Sequence, residues 1–224
     1  MTRKSNARLA GFLFLFYIAV ALAGMILFRR VSAGDGIPAK LANIAAHAPV
    51  MRICVLSDLL TVFCAIGLGV TLYALTRHQD SDLALIAMMC RVAEGILGAS
   101  ATIASLSLLQ VSMNAATATG AELATLQTVG GVLLKGGGGM TVGATIFSVG
   151  SAIFAWLFVR ARTIPVWLAW TGLIGSLLAI VMLPLEGFHL IGGSVMWVMW
   201  LPLLVYELTL GVMLLAGRIG EATP

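Results

Sequence analysis

LAGFLFLFYIAVALAGMILF, from Leu9 to Phe28, decides the fold, because it is twenty consecutive residues without a charge. At about 1.5 Å per residue a helix of that length covers about 30 Å, the thickness of a bilayer's hydrocarbon core. Basic residues stand on both sides, Arg3, Lys4 and Arg8 before it and Arg29 and Arg30 after it, as expected where an apolar segment meets lipid headgroups. Ala21-Leu22-Ala23 has the small-residue pattern of a signal-peptidase site. The apolar run continues past it, so an uncleaved first span is expected.

The rest of the chain repeats this design. Further apolar runs extend from Ile53 to Leu75, Leu83 to Val111, Gly139 to Val159, Val166 to Leu183 and Ser194 to Ala216, each long enough to cross. Over all 224 residues, 60% are hydrophobic and 10% charged, against about 25% charged in soluble domains. That deficit excludes a soluble enzyme and a nucleic-acid binder. The net charge of +4 sits at the ends of apolar runs, where it describes topology and headgroup anchoring and not a nucleic-acid partner. The expected fold is an all-α membrane protein, a six-transmembrane-helix bundle forming one polytopic domain over residues 1–224, with membrane lipids as its immediate partners.

Two connecting segments have structure of their own. Between the first and second spans, Pro38 stands at a helix start and Leu41, Ile44 and Ala45 follow at helical spacing, which predicts a short interfacial helix. Residues 121–135 are also apolar, yet fusing them to the fourth span would give about 58 Å of helix, twice the bilayer core. The chain must break there. Gly136 to Gly139 supply the break, since each glycine costs a helix about 1 kcal/mol relative to alanine.

Orientation follows from the basic residues. With the N-terminus inside, Arg3, Lys4, Arg8, Arg77, Arg160, Arg162 and Arg218 are cytoplasmic, and Arg29, Arg30, Lys40, Arg52 and Lys135 are external. Seven against five favours both termini in the cytoplasm. Trp156, Trp167 and Trp170 then mark the inner interface, and Trp197 and Trp200 the outer one.

The chemistry is concentrated in four ionisable residues inside the spans: Asp58, Arg91, Glu94 and Glu207. Each costs at least about 2.5 kcal/mol at the centre of a lipid-facing helix, so each should face the bundle interior and find a partner. On the third span Arg91, Glu94, Gly95, Gly98, Thr102 and Ser105 share one face, while Met89, Ala93, Ile96 and Ile103 lie elsewhere. Cys54, Asp58, Thr61, Ala65 and Gly69 make a similar stripe on the second, and Trp200, Glu207 and Gly211 on the sixth. Such stripes of small and polar residues suit close helix contact. Depth arithmetic sets Arg91 and Glu207 at one level, with Asp58 about 5 Å beyond Glu94, within a hydrogen-bond or water chain of it if the helices are neighbours. Three carboxyl groups around one guanidinium would carry a charge of minus two if all ionised, so the cluster is expected to retain a proton near neutral pH.

Other motifs carry less. Arg52 at the outer end of the second span, and Glu186 with His189 in the last loop, are secondary candidates; the pair offers a carboxylate and an imidazole for acid–base work, without a nucleophile. His47, His78 and His189 are scattered, and Cys54, Cys64 and Cys90 lack CxxC spacing, so neither a metal nor another cofactor is expected. Gly139 and Gly143 form a GxxxG that permits packing within the bundle or between protomers, compatible with a homo-oligomer or a larger membrane complex.

Several strings also resemble a known family: Met51-Arg52 with Leu56-Ser57-Asp58-Leu59-Leu60, Leu72-Tyr73-Ala74-Leu75, Leu83-Ala84-Leu85 running to Cys90-Arg91-Val92-Ala93-Glu94, Arg162-Thr163-Ile164-Pro165-Val166-Trp167-Leu168, and Tyr206-Glu207-Leu208-Thr209-Leu210-Gly211. Together they resemble the bacterial membrane-protein family catalogued as domain of unknown function 4386. The resemblance implies a bacterial inner membrane and sets Arg52, Asp58, Arg91, Glu94 and Glu207 at motif positions. It supplies no substrate. The charged cluster itself suggests binding or transport of a small polar or ionisable solute, with Arg91 as anion anchor and Glu94, Glu207 and Asp58 exchanging protons. The alternatives are a structural or accessory subunit of a membrane assembly, and a membrane-embedded enzyme acting on a lipid-like substrate; enzyme chemistry is the less favoured of the three.

Overall fold

Residues 2–135, 139–192, 195–218 and 220 are described in the computed structural model, and their secondary structure is helical throughout. The described residues form α1 (Arg3–Val31), α2 (Gly36–Ala46), α3 (Ala48–Thr76), α4 (Ser81–Ala115), α5 (Gly120–Leu134), α6 (Gly139–Ala161), α7 (Val166–Gly187) and α8 (Val195–Leu215). In hydrocarbon every backbone N–H and C=O must be satisfied within the segment, which an uninterrupted helix does. Six of the eight, α1, α3, α4, α6, α7 and α8, are long and apolar enough to cross a membrane. The chain is a multi-pass membrane protein.

The ends have local causes. Asp80 Oδ1 accepts a hydrogen bond from the Leu83 N–H at 3.1 Å, satisfying one of the free donors at the start of α4. Pro165 precedes α7, and Gly34 and Gly36, both with positive φ, turn the chain from α1 into α2. The glycine break expected after Lys135 lies largely outside the described residues, which omit 136–138. Helix α5 nevertheless ends at Leu134 and α6 begins at Gly139. At 15 residues, about 22 Å, α5 is too short to cross by itself.

The chain divides into two compact units. One comprises Met1–Ile18, Phe63–Ile96 and Thr141–Pro224, the other Ala19–Val62 and Leu97–Met140, so α1, α3 and α4 each contribute a part to both. In the first unit, Phe14, Leu68, Leu72, Phe154, Leu157, Leu168, Tyr206 and Leu210 are among the residues of a continuous buried core. Glycines bring its helices together. A methyl group on Gly11 of α1 would lie 2.6 Å from the Gly211 carbonyl oxygen of α8, closer than van der Waals contact permits, so these two helices cross backbone against backbone.

The second unit has its own core, in which Val31, Leu41, Ile44, Met51, Cys54 and Leu108 are buried. The short helix α2 occupies the stretch where one is expected. Its Leu41 and Ile44 are buried inside protein. Leu41 packs on Gly130 and Ile37 on Gly131 of α5, where an added methyl would come within 2.8 and 2.6 Å. Asn43 Nδ2 donates to the carbonyls of Arg30 and Ala33 at 3.1 and 3.2 Å, holding α2 against the end of α1.

Candidate functional site

Arg91 is the largest fully buried side chain among the described residues, at 1% exposure. Two glycines allow this. A methyl on Gly69 of α3 would stand 3.0 Å from the Arg91 Cβ, and one on Gly150 of α6 would stand 2.8 Å from the Cys90 Cβ and 3.0 Å from the Ala87 carbonyl oxygen. Helices α3 and α6 thus close on α4 at the level of the arginine.

Its charge is met locally. Nη1 donates to Glu94 Oε2 at 2.9 Å, an ion pair one turn apart on α4. The other oxygen, Oε1, accepts from Tyr17 Oη of α1 at 3.1 Å. Aromatic rings surround the guanidinium, with Cζ at 4.8 Å from the ring centre of Phe147, 5.9 Å from Phe14 and 6.0 Å from Tyr17. A desolvated cation over a ring gains on the order of 2 kcal/mol, which offsets part of the burial cost. Glu207, 8% exposed, interacts electrostatically with Arg91 and Glu94. It forms no hydrogen bond among the described residues. Arg91 Nε, too, is buried without a hydrogen-bond partner among them.

Three of the four intramembrane charges therefore gather: Arg91, Glu94 and Glu207. The fourth, Asp58, accepts a hydrogen bond from Ser105 Oγ at 3.0 Å in the second unit. The polar faces read from the sequence match those buried in the structure. Arg91 and Thr102 are buried, whereas Met89, Ile96 and Ile103 are among the exposed residues of α4, Ile103 at 65%. Two participants escaped the sequence reading. Tyr17 sits in a continuous apolar run where an aromatic residue reads as lipid-facing, and Phe147 looks like any core phenylalanine; the signal available for Tyr17 was its single hydroxyl in a span otherwise without hydrogen-bonding side chains.

The secondary candidates stay apart from this cluster. Arg52 is exposed on α3. Glu186 and His189 are joined through the backbone, where the His189 N–H donates to the Glu186 carbonyl at 2.7 Å as the chain leaves α7. Their side chains share no hydrogen bond among the described residues. Trp197 and Ser194 fall where side chains are not described. Among the described residues no three of His, Cys, Asp and Glu come together as a metal site. Two apolar grooves open elsewhere, one of about 710 Å³ lined by α2, α4 and α5 residues including Leu41, Met113 and Leu123, and one of about 440 Å³ between α4 and α6 lined by Met89, Ala93 and Ile146.

Chemically, the cluster combines a fixed cation, a hydrogen-bonded carboxylate and a second carboxyl without a hydrogen bond, all removed from water. It can hold an anion, exchange protons, or lock α1 to α4. Comparison with curated proteins and with solved structures returns no match for the chain. The profile of the family described as Domain of unknown function (DUF4386) matches residues 9–217, which include the whole Arg91 cluster, and the chain belongs to that family.

Proposed function

We propose that the chain binds a small polar or ionisable solute within the membrane at Arg91, with Glu94 and Glu207 exchanging protons as the solute comes and goes. The observation that supports this reading is the incomplete pairing of a wholly buried guanidinium: Nη1 is engaged by Glu94, Nε has no partner among the described residues, and the nearby Glu207 forms no hydrogen bond. A group selected only to lock helices would be expected to use its donors, since each unsatisfied buried one costs about 1–3 kcal/mol. Asp58, held by Ser105, is an additional proton-accepting group in this proposal. The membrane is the bacterial inner membrane, with both termini cytoplasmic on the balance of basic residues.

Native mass spectrometry of the full chain, purified from membranes, tests the site. Wild type should carry a small-molecule adduct that Arg91→Lys, which keeps the charge and loses the planar fork, does not retain. A bare wild type whose thermal stability equals that of Arg91→Lys overturns the proposal. The link from Tyr17 of α1 through Glu94 to Arg91 of α4 favours a second reading, in which the cluster fixes helix register in a structural subunit. Obligate co-purification of a partner protein with no small molecule bound would support that reading.

A further inference from the structure

We infer that the solute held at Arg91 is a monocarboxylate, gripped along the edge of the guanidinium that carries Nε and Nη2, with Glu207 taking up the proton that the acid brings. This rests on the solute-binding reading above and gives it a chemical class. Nη1 is taken by Glu94, Nε is buried and unpartnered, and Nη2 makes no hydrogen bond among the described residues. The Nε–H and Nη2–H bonds leave one edge of the guanidinium in parallel, spaced to meet the two oxygens of one planar carboxylate. Rings of Phe14, Tyr17 and Phe147 lie around the guanidinium, and their apolar surfaces suit a ligand whose body is apolar and whose charge is confined to one end.

Charge selects among the oxyanions. The titratable groups that face Arg91 are Glu94 on its own helix, Tyr17 from α1, and Tyr206 and Glu207 from α8; α3 and α6 present Gly69, Gly150 and Phe147. With Glu94 matched to Arg91, Glu207 is the surplus charge. A carboxylic acid entering from outside passes its proton to the Glu207 carboxylate and binds the free edge as the carboxylate. One proton moves from the ligand oxygen to a Glu207 oxygen, no other covalent bond changes, and the charge of the site is the same before and after. A phosphate dianion would add a further negative charge in a medium that penalises unpaired charge. The carboxylate could arrive from water as a short acid or from the bilayer as a fatty acid, since the shared chemistry is the single carboxyl group.

Isothermal titration of the detergent-purified full chain with benzoate, oleate, inorganic phosphate and benzamide distinguishes these cases. Benzoate or oleate should bind, with uptake of about one proton per ligand, seen by repeating the titration in buffers of different ionisation enthalpy. Binding of benzoate alone identifies a water-borne ligand, and of oleate alone a membrane-borne one. Arg91→Lys should weaken carboxylate binding by about tenfold or more. Should that variant fail to fold, Glu207→Gln supplies the second reading: removal of the surplus negative charge should strengthen carboxylate binding and abolish the proton uptake, a change no structural role for Glu207 predicts. Benzamide binding as well as benzoate overturns the inference. So does phosphate binding without carboxylate binding, although the solute site itself then stands. Absence of binding by all four probes overturns the carboxylate, and a bare wild type no more stable than Arg91→Lys then removes the site as well.

Discussion

Tyr17 carries a large share of the site's order for a residue with a single hydroxyl. Its Oη bonds Glu94 Oε1 while the opposite oxygen pairs with Arg91, so the carboxylate is held at both ends and cannot rotate away from the guanidinium. Interhelical hydrogen bonds of this kind are worth about 0.6 kcal/mol on average in a bilayer. Tyr17→Phe should therefore lower unfolding free energy by about that amount, measured by detergent titration, and should lose its effect in a Glu94→Ala background, which has no side-chain acceptor. Arg91, Glu94 and Glu207 were legible in the sequence because an ionisable side chain in a twenty-residue apolar run has few ways to be tolerated. Tyr17 was not, because aromatic residues are at home on lipid-facing surfaces. The pairing of Asp58 with Ser105 shows where helical periodicity stops: both lay on faces correctly assigned as interior, yet the face of a helix says nothing of which level on its neighbour it meets. Register between helices depends on packing, and no one-dimensional pattern encodes it.

Among the helices, glycine sets the spacing. The crossing of α1 and α8 at Gly11 and Gly211 leaves no space for a single methyl group, whereas one on Gly192 in the last loop would meet nothing within 4 Å among the described residues. Gly11→Ala should accordingly cost about 1–3 kcal/mol through overpacking, and Gly192→Ala should remain within about 0.5 kcal/mol of wild type; the same detergent unfolding assay reads both. The six spanning helices could be read directly from hydropathy, although α1 begins at Arg3 and not Leu9, and α3 at Ala48 and not Ile53. The short α2 could be read as a helix but not placed. Leu41 and Ile44 have the spacing of a membrane-surface helix and the same spacing of a helix packed on protein, and the packing of α2 on Gly130 and Gly131 of α5 is seen only in the structure. Those glycines are far from α2 in sequence, in a segment whose apolar composition gave no hint of its partner.

For the molecule as a whole, the distribution of basic residues makes a prediction that the helices alone do not. Cysteine introduced at His78, in the exposed turn before α4, should react with a membrane-impermeant maleimide only from the cytoplasmic side, and cysteine at Leu190, exposed beyond α7, only from the opposite side. The reverse pattern would invert the proposed topology. The native cysteines lie within the spanning helices α3 and α4, two of them buried, which favours the introduced sites as the points of reaction. The ion pair one turn apart on α4 has a consequence for how such a chain is made. A ribosome delivers α1, then α4, and only afterwards α6 and α8, so Arg91 enters the bilayer before Phe147 or Glu207 exists to receive it. An unaccompanied arginine at mid-helix resists insertion by about 2.5–3.5 kcal/mol. Glu94 travels on the same segment and Tyr17 is already in place, so the newborn helix brings its own neutralising partner through the translocon and meets a waiting hydroxyl on the other side of synthesis.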